Sequence, residues 1–235
     1  MTLSFNDEKN QHLDELASGQ LEPRQKKAAL FISFEGIDGC GKTTQLQYLN
    51  QALKAEGYQT LCLREPGGTA VSEEIRELLL AKEELAIDAR TELMLFLAAR
   101  SQIVVEQIKP ALEAGVIVLC DRFADSTMAY QGYGRGLELS EIRELNNFAC
   151  RGLSPDLTLL LDLSKEQFMA RLSKREASEK NRFDNESVEF LSRVHQGFAE
   201  LAEQEPERIK RVSTARDKEL SRQEILRLVM AKLRT

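Results

Sequence analysis

The sequence predicts an α/β fold: a central parallel sheet of five strands, flanked by helices on both faces as a three-layer sandwich. Two observations carry that expectation. From residue 29 onward, short apolar runs alternate with segments of helical spacing. One of those runs, Val-Ile-Val-Leu-Cys at 116–120, is apolar without a break, as a strand covered on both faces should be.

The elements follow in order. A first strand is expected over 29–34, where a run of β-formers ends just before Gly36. A helix over 44–56 rests on the spacing of Leu46, Leu49 and Leu53 and stops near Gly57. The second strand is expected over 59–63. The next helix, over 72–82, carries Ile75, Leu78 and Leu79 on one face. A long helix over 90–108 is apolar around much of its circumference through Leu93, Leu97, Ile103 and Val104. After the third strand at 116–120 come a helix over 140–150 and a fourth strand over 157–162. Helices over 165–174 and 187–203 bracket a charged segment. A last strand over 209–212 and an amphipathic helix over 218–233 close the chain. Residues 1–28 are polar and read as an extension with no catalytic role, and 29–235 as a single domain. No internal repeat or low-complexity stretch interrupts it.

Composition narrows the function classes. A chain of 235 residues suits one well-buried α/β domain. A net charge of −6 with no long basic run argues against nucleic acid as the main partner, while leaving room for a local basic patch on phosphates. No apolar stretch reaches membrane-spanning length, so no membrane partner is expected, and the polar beginning lacks the pattern of a secretory signal. Cys40, Cys62, Cys120 and Cys150 are widely and irregularly spaced, which disfavours a zinc site or a disulfide framework. Small buried thiols in a reducing compartment fit better, and a cytoplasmic location is expected.

In such sheets ligands sit at the carboxyl ends of the strands, so the residues just after each strand are the informative ones. After the first strand, Gly36-Ile37-Asp38-Gly39-Cys40-Gly41-Lys42-Thr43 fits G-x-x-x-x-G-K-[ST]. Its glycines let successive N–H groups point at phosphate oxygens, and Lys42 adds a point charge for β- and γ-phosphates. The Thr43 hydroxyl can ligate Mg²⁺, and the following helix turns its positive end to the same anion. The loop therefore implies ATP, with Thr44 completing it. After the third strand, Asp121-Arg122 places a carboxylate where a magnesium-organising acid belongs and a guanidinium within reach of phosphate.

Other residues are ambiguous when read alone. Arg64-Glu65-Pro66-Gly67-Gly68-Thr69 after the second strand forms a tight turn at the sheet edge. Arg76 on the next helix, read alone, is by default a solvated arginine. Phe96 and Arg100 stand at i and i+4 on one helix face, so they can stack a base and hold its edge, or be a core phenylalanine beside a surface arginine. Arg171, Lys174, Arg175, Lys180 and Arg182 form either a solvated face or a lid over a transferring phosphoryl group.

Taken together, these segments resemble the bacterial thymidylate kinase family, a P-loop NTPase fold, from about residue 29 to the end of the chain. The resemblance rests on Phe34-Glu35-Gly36 through Thr44, Arg64-Glu65-Pro66-Gly67-Gly68-Thr69, Leu95-Phe96-Leu97-Ala98-Ala99-Arg100, Asp121-Arg122-Phe123, Ser126, Ala129-Tyr130-Gln131-Gly132 and Pro155-Asp156-Leu157-Thr158, in the family's order. It implies phosphoryl transfer from ATP to dTMP with Mg²⁺, by a homodimer. It also implies roles. Phe96 would stack on thymine and Arg100 contact the base edge. Arg76 and Arg122 would hold the dTMP phosphate, with Glu65 and Pro66 shaping the acceptor site. Ser126 and Gln131 would lie along base and sugar, and Tyr133 near the sugar. Asp38 would sit between the nucleotides, joining Thr43 and Asp121 at the metal. The loop carries Gly39 where some members have an arginine. The catalytic arginine would then come from a lid at about 171–184, with Arg175 and Arg182 the expected suppliers.

Overall fold

The computed structural model describes residues 28–80, 86–163, 186–215 and 217–234. The helix expected at 165–174 and the lid expected at 171–184, with Arg175 and Arg182, lie outside these residues, as does the extension at 1–28 apart from Ala28.

The five expected strands are present, each within about a residue of its expected bounds: β1 (Leu30–Glu35), β2 (Thr60–Arg64), β3 (Ile117–Asp121), β4 (Leu157–Asp162) and β5 (Ile209–Ser213). They form one sheet in the order β2-β3-β1-β4-β5, with every pairing parallel. The sequence of β3 shows why the run is unbroken. Ile117 and Leu119 belong to one hydrophobic cluster, and Val118 and Cys120 to the other, on the opposite face. β1 divides in the same way, with Phe31 on one side and Ile32 and Phe34 on the other.

Helices follow as expected, with shifted ends. α1 (Lys42–Ala55) starts two residues early, because Gly41 is left-handed and serves as its N-cap, so Lys42 and Thr43 are already helical. In α2 (Ala70–Leu80) the Thr69 hydroxyl accepts the Ser72 N–H at 3.1 Å and caps the first turn. α3 (Ala89–Ile103), capped by Asp88, continues through a π-helical stretch, Val104–Ile108, into a last turn, Lys109–Glu113. No element was expected between 121 and 139, yet α4 (Ala124–Thr127) runs there into a second π-helical stretch, Met128–Gly134. α5 (Leu139–Cys150), α6 (Val188–Gln204) and α7 (Lys218–Lys232) complete the layers. No helix of the described residues is long and apolar enough to cross a membrane.

β1 sits between β3 and β4, so the loop after β1 is flanked by the chain leaving β3. β2 lies just beyond, and its Arg64 pairs in register with Asp121. Three strand ends therefore converge at one edge of the sheet.

Candidate active site

The loop after β1 is held closed by its own geometry. Gly36 has φ +132°, and a Cβ there would stand 2.6 Å from the Leu161 carbonyl oxygen, so only glycine fits. Lys42 folds back over the loop and donates to the carbonyls of Gly36 at 3.1 Å and Ile37 at 3.0 Å. Gly41 offers α1 no side-chain cap, which leaves the first-turn N–H groups as donors for an anion. Ile37 and Cys40 are buried beneath the loop, and Cys40 Sγ accepts from Lys42 Nζ at 3.9 Å. Burial pushes the Cys40 thiol above its ordinary range.

At the end of β3, the Thr43 hydroxyl donates to Asp121 Oδ2 at 2.8 Å. Arg122 has φ +71°, outside the range most side chains prefer. That turn sends its guanidinium across the loop. Nη1 donates to the Gly36 carbonyl and to Ser126 Oγ, both at 3.0 Å, and Nη2 donates to Asp38 Oδ1 at 2.6 Å. Its carbon lies 5.1 Å from the centre of the Tyr130 ring. Burial opposes the charge, but Tyr130, Asp38, Asp121 and Glu35 hold the guanidinium well above its ordinary range.

Glu35 lies below this group, fully buried. It accepts the Phe123 N–H at 2.7 Å and the Ser126 hydroxyl at 2.5 Å. Burial, reinforced by nearby Asp125, raises its carboxyl from 4.5 to about 8.

The acceptor side is built from the β2 turn and α3. Gly68 has φ +91°, and a Cβ there would stand 2.4 Å from Ile103 Cδ1, which fixes the turn against α3. The Pro66 carbonyl accepts Arg76 Nη1 at 2.7 Å, aiming that arginine into the cleft. Burial, and then the like charge of Arg64, lower the Arg76 pKa. On α3, Glu92, Phe96 and Arg100 recur every fourth residue on one stripe. Arg100 is 1% exposed while Phe96 stays half-buried at the cavity, the reverse of a core phenylalanine with a surface arginine. Arg100 Nε donates to Glu65 Oε2 at 2.8 Å, and Nη1 donates to Thr127 at 2.8 Å and Asn146 at 2.7 Å. Nη2 lies 2.7 Å from the same Glu65 oxygen. Burial raises the Glu65 carboxyl, and Arg100 pulls it part of the way back.

These groups line one open cavity of about 750 Å³. It joins Asp38, Gly39, Gly41, Lys42, Thr43 and Thr44 on the loop side to Glu65, Pro66, Arg76, Phe96, Arg100, Ser126 and Gln131 on the other, with Asp121 and Arg122 between. Two corrections follow. Tyr133 is not among the lining residues: its ring packs on α6, where a Cβ on Gly197 would meet it at 2.6 Å. Tyr130 lines the cavity in its place. The sequence reading also missed Glu35, which holds Ser126; Thr127 and Asn146, which hold Arg100; and Glu92, which holds Gln131. A signal for Glu92 existed in its spacing four residues before Phe96. Among the described residues no group of three or more His, Cys, Asp and Glu could hold a metal ion, so a metal here would need oxygens from other sources.

Comparison with known proteins agrees with this geometry. The family model described as thymidylate kinase matches residues 34–225. A thymidylate kinase of Desulfovibrio desulfuricans is 51% identical over 184 residues, covering 76% of this chain and 85% of that protein. One of Bacillus velezensis is 42% identical over 202 residues, covering 86% and 95%. A crystal structure of thymidylate kinase from Ehrlichia chaffeensis superposes with a TM-score of 0.69 at 34% identity, covering 86% of this chain and 99% of that one.

Proposed function

The chain belongs to the thymidylate kinase family, and from that premise we propose that it transfers the γ-phosphate of ATP to dTMP, giving dTDP and ADP. The observation that carries the reading is the shared cavity: a triphosphate loop and an aromatic, arginine-lined pocket meet at Arg122.

Lys42 leaves the loop carbonyls to hold the β- and γ-phosphates, beside the N-terminus of α1. Arg76 and Arg122 hold the acceptor phosphate, and Asp38 keeps Arg122 turned toward both nucleotides. Because the acceptor is a phosphate oxygen, anionic at neutral pH, no general base is needed. The protein's work is in-line positioning, charge neutralisation and exclusion of water. Gly39 leaves the loop without an arginine, so we assign that charge to Arg175 and Arg182 of the 171–184 segment.

The pocket also matches the base. Phe96 offers a stacking face. Arg100 spends four of its five N–H groups on Glu65, Thr127 and Asn146, leaving one donor for a carbonyl of the base. The Thr43 hydroxyl and Asp121 carboxylate are hard oxygen donors in mutual contact. Such a pair suits Mg²⁺, which takes one or two protein ligands and keeps waters. When bound, Mg²⁺ offsets charge on the β- and γ-phosphates. Asp38 commits Oδ1 to Arg122, so we assign it to that arginine rather than to the ion. We assign the enzyme to the cytoplasm and to a homodimer, through exposed apolar residues of the helical layers such as Met94 and Phe148.

A coupled assay of ADP release with dTMP, dUMP, dCMP and dGMP tests the assignment. dTMP should give the highest kcat/KM, and preference for dCMP or dGMP would reject it. Loss of turnover in neither Arg175→Ala nor Arg182→Ala would reject the lid arginines.

A further inference from the structure

Gln131 lines the acceptor side of the cavity and is itself 1% exposed. A buried amide of this kind can present either of two faces to a ligand, a carbonyl that accepts or an NH₂ that donates. The two choices select opposite base edges. Which face is turned to the cavity is decided by the group behind the amide. That group is Glu92, fully buried on α3, whose Oε1 accepts Gln131 Nε2 at 2.8 Å.

Glu92 is in turn clamped. Arg135, at the end of the Met128–Gly134 π-helical stretch, donates Nε to Oε1 at 3.2 Å and Nη2 to Oε2 at 3.1 Å. The same Nη2 donates to Glu186 Oε1 at 2.5 Å. A carboxylate paired in this way only accepts hydrogen bonds. It therefore takes the amide NH₂ of Gln131 and leaves the carbonyl Oε1 as the group offered to the cavity.

We propose that Glu92 is a specificity-positioning residue: its carboxylate fixes the Gln131 amide with the carbonyl toward the acceptor base, which selects a ring nitrogen that carries a hydrogen. This rests on the dTMP-kinase reading and deepens it. Thymine and uracil carry that ring N–H between two carbonyls. The equivalent ring nitrogen of cytosine is an acceptor beside an NH₂ group. Facing the Gln131 carbonyl, cytosine would leave two acceptors opposed. With the spare donor of Arg100 on a base carbonyl, the pocket reads an acceptor–donor pair and rejects its reverse. A site built to hydrogen-bond one pattern discriminates far more strongly than an apolar pocket does.

The test is the ratio of kcat/KM for dTMP to that for dCMP. Glu92→Gln can offer Gln131 either an acceptor or a donor, so the Gln131 amide is free to turn over. The ratio should fall by about tenfold or more, through a higher KM for dTMP and a lower one for dCMP. A smaller change in the folded variant overturns the proposal, since a merely structural ion pair would lower both activities together. Glu186→Gln touches the same arginine but not the amide and should leave the ratio within about twofold. If it shifts the ratio as far as Glu92→Gln does, the effect belongs to Arg135 and the proposal falls. Should Glu92→Gln fail to fold, the double variant Glu92→Gln/Arg135→Met removes both charges of the pair at once and is judged by the same tenfold threshold. A wild-type enzyme that does not prefer dTMP to dCMP would instead overturn the dTMP-kinase reading, and this inference with it.

Discussion

Replacing Arg100 by methionine strands a buried acid, and the consequence can be worked through. The side chain is 1% exposed and holds Glu65 Oε2 through contacts of 2.8 and 2.7 Å, with Thr127 and Asn146 on its other nitrogen. Methionine fills part of the volume and satisfies none of these groups. Glu65, 5% exposed, is left without its cation. Breaking a buried pair from one side costs about 3–5 kcal/mol. With a urea m-value of roughly 3 kcal/mol/M for a domain of this size, the unfolding midpoint falls by about 1–1.7 M. The sign of the pH dependence follows from the same contacts. Burial already raises the Glu65 carboxyl, and loss of Arg100 removes the main force lowering it. In the variant the Glu65 carboxyl stays raised above its unfolded value, so between the two values the folded state binds a proton that the unfolded chain lacks. Stability is therefore fullest at low pH and is lost as pH rises, by up to about 1.4 kcal/mol per pH unit. Urea titrations followed by circular dichroism at pH 6, 7 and 8 measure this directly. Adding Glu65→Gln should recover part of the loss and flatten the pH slope. A loss below about 1 kcal/mol at pH 8, or a difference from wild type that does not change with pH, would refute the reasoning.

Phe96→Ala should weaken dTMP binding by about 10- to 100-fold, the range expected for losing a base-stacking ring, and leave ATP binding within about twofold in calorimetric titrations. Equal losses for both nucleotides would remove the stacking role. Gly68→Ala combines φ +91° with a Cβ 2.4 Å from Ile103 Cδ1, so it should lower the melting temperature, whereas an unchanged value would mean the turn relaxes without strain. Glu35, raised from 4.5 to about 8, contributes stability that is fully present below 4.5 and lost as pH rises through 8. Thermal melts should therefore show Glu35→Gln gaining on wild type between pH 5 and about 8.5, and a constant offset would contradict the proton on Glu35.

The sequence by itself determined the sheet and the phosphate loop, for local reasons. Strand β3 is legible because burial on both faces demands an unbroken apolar run, and residues 36–43 are legible because the glycines and Lys42 that curl around phosphate lie within one short segment. The recurrence of Phe96 and Arg100 on one helix face was equally visible, since it depends only on helical period. Tertiary structure decided what those side chains face. Arg100 meets Glu65 from 35 residues away, and Glu35 meets Ser126 from 91, so neither pairing leaves a local pattern. Tyr133 illustrates the limit most directly. At α-helical spacing, positions 126, 130 and 133 would share a face. The Met128–Gly134 stretch is π-helical, so each residue turns by less than in an α-helix, and Tyr133 lags off the cavity face onto α6. This stretch packs on α6 and α5, where Gly134 abuts Phe190 and Gly132 abuts Leu139, and a chain read one residue at a time does not contain those contacts.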